Sequence, residues 1–193
     1  MKRVKIEEAY GGETAFTRAI ANDFELGEKL LRIIGEDGND ITITDNIPIR
    51  QVSENSTSNK RPDNVGWKYY GTPEQMAIMV AEVMLGRLDD LHMTKILKYS
   101  HGVCDHRDKY VKDLILVCET ATEEDKEFID FLNRQNIWNI TIVVPFIVKE
   151  DNGKVTCVDF EVIHSPRDAD ARKKQMTSTS SGETTPEFWK EFA

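Results

Sequence analysis

Apolar and polar positions change period several times along this chain, and each change marks an element. Residues 2–6 alternate polar and apolar, which predicts a short strand. After Gly11-Gly12 the spacing turns helical: Phe16, Ala19, Ile20, Phe24, Leu30, Leu31 and Ile34 gather towards one face. Asp23 is placed to cap a second helix within this stretch, and Gly35 to end it. Residues 40–52 alternate twice, through Ile41 and Ile43 and then Ile47 and Ile49, around an Asp45-Asn46 turn. That predicts two short strands or one interrupted strand. Residues 53–65 are polar and read as the longest internal loop.

A helix is predicted over 71–86. Thr72, Pro73 and Gln75 suit its N-cap, first position and capping box, and Gly86 suits its end. Met76, Met79, Val80, Val83 and Met84 form its buried stripe, which reads as core rather than as a binding surface. A further helix follows over about 88–99.

The clearest unit spans 111–148. Residues 111–118 are nearly all apolar, as in a strand buried on both faces. Thr122 then caps a helix whose first turn carries Glu123, Glu124 and Asp125, with Phe128, Ile129, Phe131 and Leu132 on its apolar side. Residues 139–148 form the next strand, so a crossover joins parallel neighbours. Asn152-Gly153 marks a tight hairpin returning through 154–164. On that last strand Asp159 and Glu161 alternate with apolar residues, as on a solvated face or a guarded edge. The expected fold is a three-layer α/β domain over 1–165, with a mixed sheet of about five strands. A polar linker (166–183) and a short docking helix (184–193) complete the chain.

Composition narrows the function. The content is 39% hydrophobic and 31% charged, as in a globular protein, and no apolar run reaches the roughly 20 residues a membrane helix needs. Three cysteines, an odd number without paired spacing, favour reduced thiols and a cytoplasmic location. The net charge of −9 disfavours a dedicated nucleic-acid binder, although an acidic enzyme can keep a local basic groove. Gathered on one face, the same charge would suit a mimic of nucleic acid.

Four places can carry chemistry. The turn from Cys118 to Thr122 precedes a helix N-terminus at a strand's carboxyl end, where α/β sheets bind ligands. It lacks glycine, and the three acids behind it repel an anion. Glu119 supports a second reading. Metal-dependent phosphodiesterases of the restriction-endonuclease type set an acid and a Glu-x-Lys on adjacent strands, the carboxylates holding Mg²⁺ and the lysine stabilising the phosphate. Here Glu119 would act with Asp113 and Asp63, with Lys126 standing in for a lysine that the Glu-Thr-Ala sequence lacks. Third, His101, Cys104 and His106 are zinc-type donors, with His92, Asp108 or a distant residue as a fourth, but at no paired-ligand spacing. Cys118 has no histidine near it in sequence, so nucleophilic catalysis has little support. Fourth, Phe188, Trp189 and Phe192 sit together beyond a polar tether. They predict docking on a protein partner or a second copy. The leading expectation is therefore a non-catalytic interaction or assembly subunit without a cofactor. The alternative is a phosphodiester hydrolase centred on Glu119 and using Mg²⁺, with Zn²⁺ the choice if the histidine loop were a site.

Overall fold

The computed structural model describes residues 1–46, 61–70, 75–103 and 110–166. The segment over 111–149 forms much as its pattern predicts. Strand β5 (Asp113–Val117), helix α5 (Glu123–Arg134) and strand β6 (Asn139–Lys149) follow in order, and β5 and β6 pair in parallel. A reciprocal capping box starts α5: the Thr122 amide donates to Asp125 Oδ2 at 2.7 Å, and the Asp125 amide donates to Thr122 Oγ1 at 3.3 Å. Strand β7 (Val155–His164) returns antiparallel along β6, past Gly153 at φ 88°.

Before these lie β1 (Lys2–Val4), α1 (Ile6–Tyr10), α2 (Glu13–Asn22), α3 (Phe24–Ile33), β2 (Ile41–Asp45), β3 (Asn64–Tyr69), β4 (Gln75–Val83) and α4 (Asp90–Gly102). Asp23 separates α2 from α3 as expected, accepting the Leu26 amide at 3.2 Å. The expected second alternation at Ile47 and Ile49 lies outside the described residues, as does the linker and tail from 167 onward.

The stretch expected as a helix over 71–86 is corrected by β4. A strand buried on both faces is a continuous apolar run, and such a run also contains a helical stripe. Here Met79, Ala81 and Val83 enter one core cluster while Val80 and Met84 enter the other. Those stripe residues are buried as expected, but Met76 is 44% exposed. The Thr72-Pro73 cap lies outside the described residues. Strand β3 was hidden by the polar segment before it, and with β3 and β4 added the sheet has seven strands among the described residues rather than about five.

The sheet runs β6-β5-β4-β3-β2, with β4, β5 and β6 parallel and the pairs β2–β3 and β3–β4 antiparallel. Val143 of β6 pairs with Val117 on one side and Val162 of β7 on the other. Farther along, Ile147 pairs with Val4 of β1 where β5 has ended. One cluster packs α2 and α3 on one sheet face, through Phe16, Ile20, Leu30 and Leu31. The other packs α4 and α5 on the opposite face, through Met93, Ile96, Tyr99 and Ile129. No helix among the described residues is long and apolar enough to cross a membrane.

Candidate functional site

Strands β4 and β5 end side by side, and that end of β4 carries one of a pair of opposed acids. Asn64 pairs with Ala81 in the antiparallel β3–β4 ladder, so Asp63, one residue earlier, stands opposite Glu82. Their neighbours settle the face. Asn64 donates to the Thr17 carbonyl of α2 at 2.9 Å, and Ala81 and Val83 enter the core under α2 and α3. Alternation then turns Asp63 and Glu82 towards α4. Asp63 Oδ2 accepts the Val83 amide at 2.7 Å, which ties the start of β3 to the end of β4.

Glu82 is 3% exposed, and its two oxygens differ. Oε1 lies 3.6 Å from Lys95 Nζ on α4, whereas Oε2 has no hydrogen-bond partner. Burial raises the Glu82 pKa to about 8, with the charge of Asp63 adding to the rise and Lys95, then more weakly the Asp63 amide, opposing it. Asp63 is raised to about 6, first by burial, with the Val83 amide pulling the other way. Tyr99, on the same side of α4, is pushed to about 12 by burial and then by both carboxylates. Glu13, which opens α2, adds negative potential at both acids. At an effective dielectric of about 20, a unit charge some 4 Å away is worth about 4 kcal/mol, so one lysine cannot balance several carboxylates.

The residues expected to carry chemistry are dispersed. Asp113 opens β5 and Glu119 lies beyond its end, roughly 20 Å away at about 3.3 Å per residue. Asp113 accepts from Asn139 Nδ2 at 2.9 Å, and burial raises its pKa. Glu119 pairs with Lys5 at 2.8 Å, and Lys126 with Glu123 at 2.7 Å. Of that proposed set, Asp63 alone meets a second buried acid, and its partner is Glu82, which sequence reasoning passed over. As a helix, the segment 71–86 leaves Glu82 off its apolar stripe; as a strand, it places Glu82 inside. Its signal was a lone glutamate within a run of apolar residues.

His101 is exposed in the last turn of α4, its ring 5.4 Å from that of Tyr110 and 6.1 Å from that of Trp138. Cys104, His106 and Asp108 lie outside the described residues, as do Phe188, Trp189 and Phe192. Cys118 is buried, and burial pushes its thiol to about 12, which leaves it a poor nucleophile. At the turn beyond it, Arg87 lies 3.6 Å from Asp125 and donates to Thr122 Oγ1 at 3.2 Å. That cation is thus engaged by the cap of α5. Among the described residues, no three His, Cys, Asp or Glu side chains form a ready metal cage. Mg²⁺ characteristically needs fewer protein ligands: one or two carboxylates, completed by water and substrate phosphate. No family model matches the chain, and no curated protein and no solved structure matches it either.

Proposed function

We propose that this protein is a divalent-metal-dependent phosphodiesterase acting on nucleic acid, with Asp63 and Glu82 holding the metal. The observation that carries this reading is Glu82 Oε2, buried without a partner beside a second carboxylate. A buried, unsatisfied carboxylate oxygen is expensive unless it has a ligand to meet. The metal would be Mg²⁺ or Mn²⁺, and when bound it supplies charge neutralisation and an activated water.

The arrangement supports the alternative raised from sequence, moved from Glu119 to Glu82. An acid just ahead of β3 faces a glutamate near the end of the adjacent β4, which approximates the acid-and-glutamate arrangement of phosphodiesterases of the restriction-endonuclease type. Met84 fills the place of the lysine in Glu-x-Lys, and it is buried at 1% exposure. Lys95 instead reaches Glu82 from α4 and is set to stabilise charge on the phosphate. In this reading the helices on both faces make a three-layer domain whose sheet end is the reaction centre. Arg18 and Arg61 stand near the Asp63 end, one 3.9 Å from Asp45 and the other donating to the Asn46 carbonyl at 3.3 Å. These cations offer a local grip on phosphates despite the net charge of −9.

The test is cleavage of labelled single- and double-stranded DNA and RNA with Mg²⁺, Mn²⁺ or a chelator, beside calorimetric metal titration. Wild type should bind metal and cleave, and Glu82→Gln should lose both, with the rate falling about 100-fold or more. A wild-type protein that is folded but neither binds metal nor cleaves overturns the reading. The assembly reading, with Phe188, Trp189 and Phe192 docking on a protein, would then take its place. Light scattering on full-length protein and a chain ending at Gln175 would test it.

A further inference from the structure

Helices α4 and α5 leave an apolar seam between them. Phe128 of α5 faces Met93, Thr94 and Leu97 of α4 across an open cleft of about 100 Å³, with Asp90 also on its wall. Phe128 is 42% exposed, and Leu91, one turn before Thr94, is 62% exposed. An enclosed cavity of about 150 Å³ holds one benzene ring, so this cleft is a seat for a single side chain and not a pocket for a ligand. Large apolar side chains gathered at the surface around such a seat mark a docking face.

The end of β7 brings the chain to that face. Val158 and Phe160 pack with α2 and α3, so unbroken alternation would send His164 there too. Instead Ile163 is an extra residue between the pairs Val143–Val162 and Ile142–His164, a bulge that re-aims the strand's end. Ile163 enters the cluster under α4 and α5, and His164 Nε2 lies 2.6 Å from Asp130 Oδ1 of α5, both side chains buried. The chain therefore leaves the sheet against α5. A larger cleft of about 260 Å³ lies on the opposite face, between α2, α3 and β2.

We propose that the α4–α5 seam is the seat of this chain's own aromatic segment, residues 184–193, docked in cis. Its spacing puts Phe188 and Phe192 on one helical face with Trp189 beside them, the pattern of a helix that lays its anchors in a groove. Asp130 and Phe128 are two positions apart and point to opposite sides of α5, so the chain has one helix to cross, about 10–12 Å wide. Residues 167–187, about 20 in number, reach up to about 70 Å when extended. A polar tether of that length holds the segment at an effective concentration of about 1 mM. An intrinsic dissociation constant of about 0.1 mM then keeps it docked about nine-tenths of the time, and a second copy at about 10 μM competes at about a hundredfold disadvantage. The docking does not depend on any chemistry at the sheet end.

The test incorporates 5-fluorotryptophan into the full chain and reads Trp67, Trp138 and Trp189 by fluorine-19 NMR, with Trp189 assigned through Trp189→Phe. The Trp189 signal should be displaced from its position in a free 184–193 peptide. That displacement should stay constant from about 10 to 300 μM protein, with light scattering reporting a monomer. Phe128→Asp and Thr94→Arg charge the seam from its two walls, and each should return the signal more than about half of the way to the free position. Unmoved Trp67 and Trp138 signals show that each variant keeps the fold. Phe24→Asp, at the exposed rim of the opposite cleft, should leave Trp189 displaced. A wild-type Trp189 signal at the free position overturns the docking. A displacement that grows with concentration alongside a dimer gives the seam to a second copy and overturns the cis arrangement. Release by Phe24→Asp, or by neither seam variant, overturns the site.

Discussion

Glu82 is the residue on which the site turns, because its surroundings do not offset its burial. Its pKa of about 8 in the folded chain stands far above the ordinary 4.5, so between those values the folded state holds a proton that the unfolded state has released. The associated stability is fully present below about pH 4.5 and is lost as pH rises through about 8. Asp63, raised to about 6, adds a smaller loss across a lower range. Metal-free wild type should therefore become less stable by about 3 kcal/mol between pH 5 and pH 9, from the cost of about 1.4 kcal/mol per pKa unit, discounted for coupling. Glu82→Gln cannot ionise and should keep most of that stability at pH 9. Urea unfolding across the range measures both, and a flat wild-type curve would show that Glu82 is ionised at no cost. Mg²⁺ at about 100 times its dissociation constant should restore about 2.7 kcal/mol to wild type at high pH and nothing to the variant.

At the scale of elements, what was legible in the chain was local and what was hidden was not. The cap at Thr122, the break at Asp23 and the turn at Gly153 each rest on residues a few positions apart, and all three stand in the structure. β4 was misread because double burial erases alternation, and β3 because the polar segment before it masked its start and its partner β4 was itself read as a helix. The candidate site inherits that blindness: Asp63 was visible as an acid, but Glu82 became its neighbour only when both segments paired. Lys95 joined them once α4 was laid over β4.

Close packing between elements also sets the sign of a mutation that propensity alone would misjudge. Gly27 lies inside α3, where alanine is favoured by about 1 kcal/mol. A Cβ there would lie 3.0 Å from the Ile20 carbonyl oxygen and 3.1 Å from Ile43 Cδ1. The Ile43 side chain can shift, but the carbonyl belongs to the backbone of α2, so overpacking outweighs propensity. Gly27→Ala should lower stability by about 1–2 kcal/mol by chemical denaturation, and an unchanged or higher midpoint would mean that α2 and α3 separate easily.

Over the whole molecule, the acidity that spoke against nucleic acid and the site that speaks for it make a joint quantitative demand. On the phosphodiesterase reading, a chain of net charge −9 gains little from long-range attraction to a polyanion, so its grip would come from a few local cations near the Asp63 end of the sheet. Arg18, Arg61 and Lys95 are those cations, and each is already drawn towards a carboxylate or a carbonyl. Each phosphate neutralised contributes about −0.9 to the slope of log affinity against log salt, so three cations set a limit of about −3. Binding of a catalytically dead Glu82→Gln protein to labelled duplex, measured from about 50 to 200 mM salt, should fall within that limit. Arg61→Ala should reduce the slope by about one. A much steeper slope would place the binding surface elsewhere on the chain, with the basic residues Arg172, Lys173 and Lys174 ahead of the tail as the first to replace. A slope near zero would mean that these three cations stay with their protein partners and that the site takes a small phosphodiester instead of a polymer.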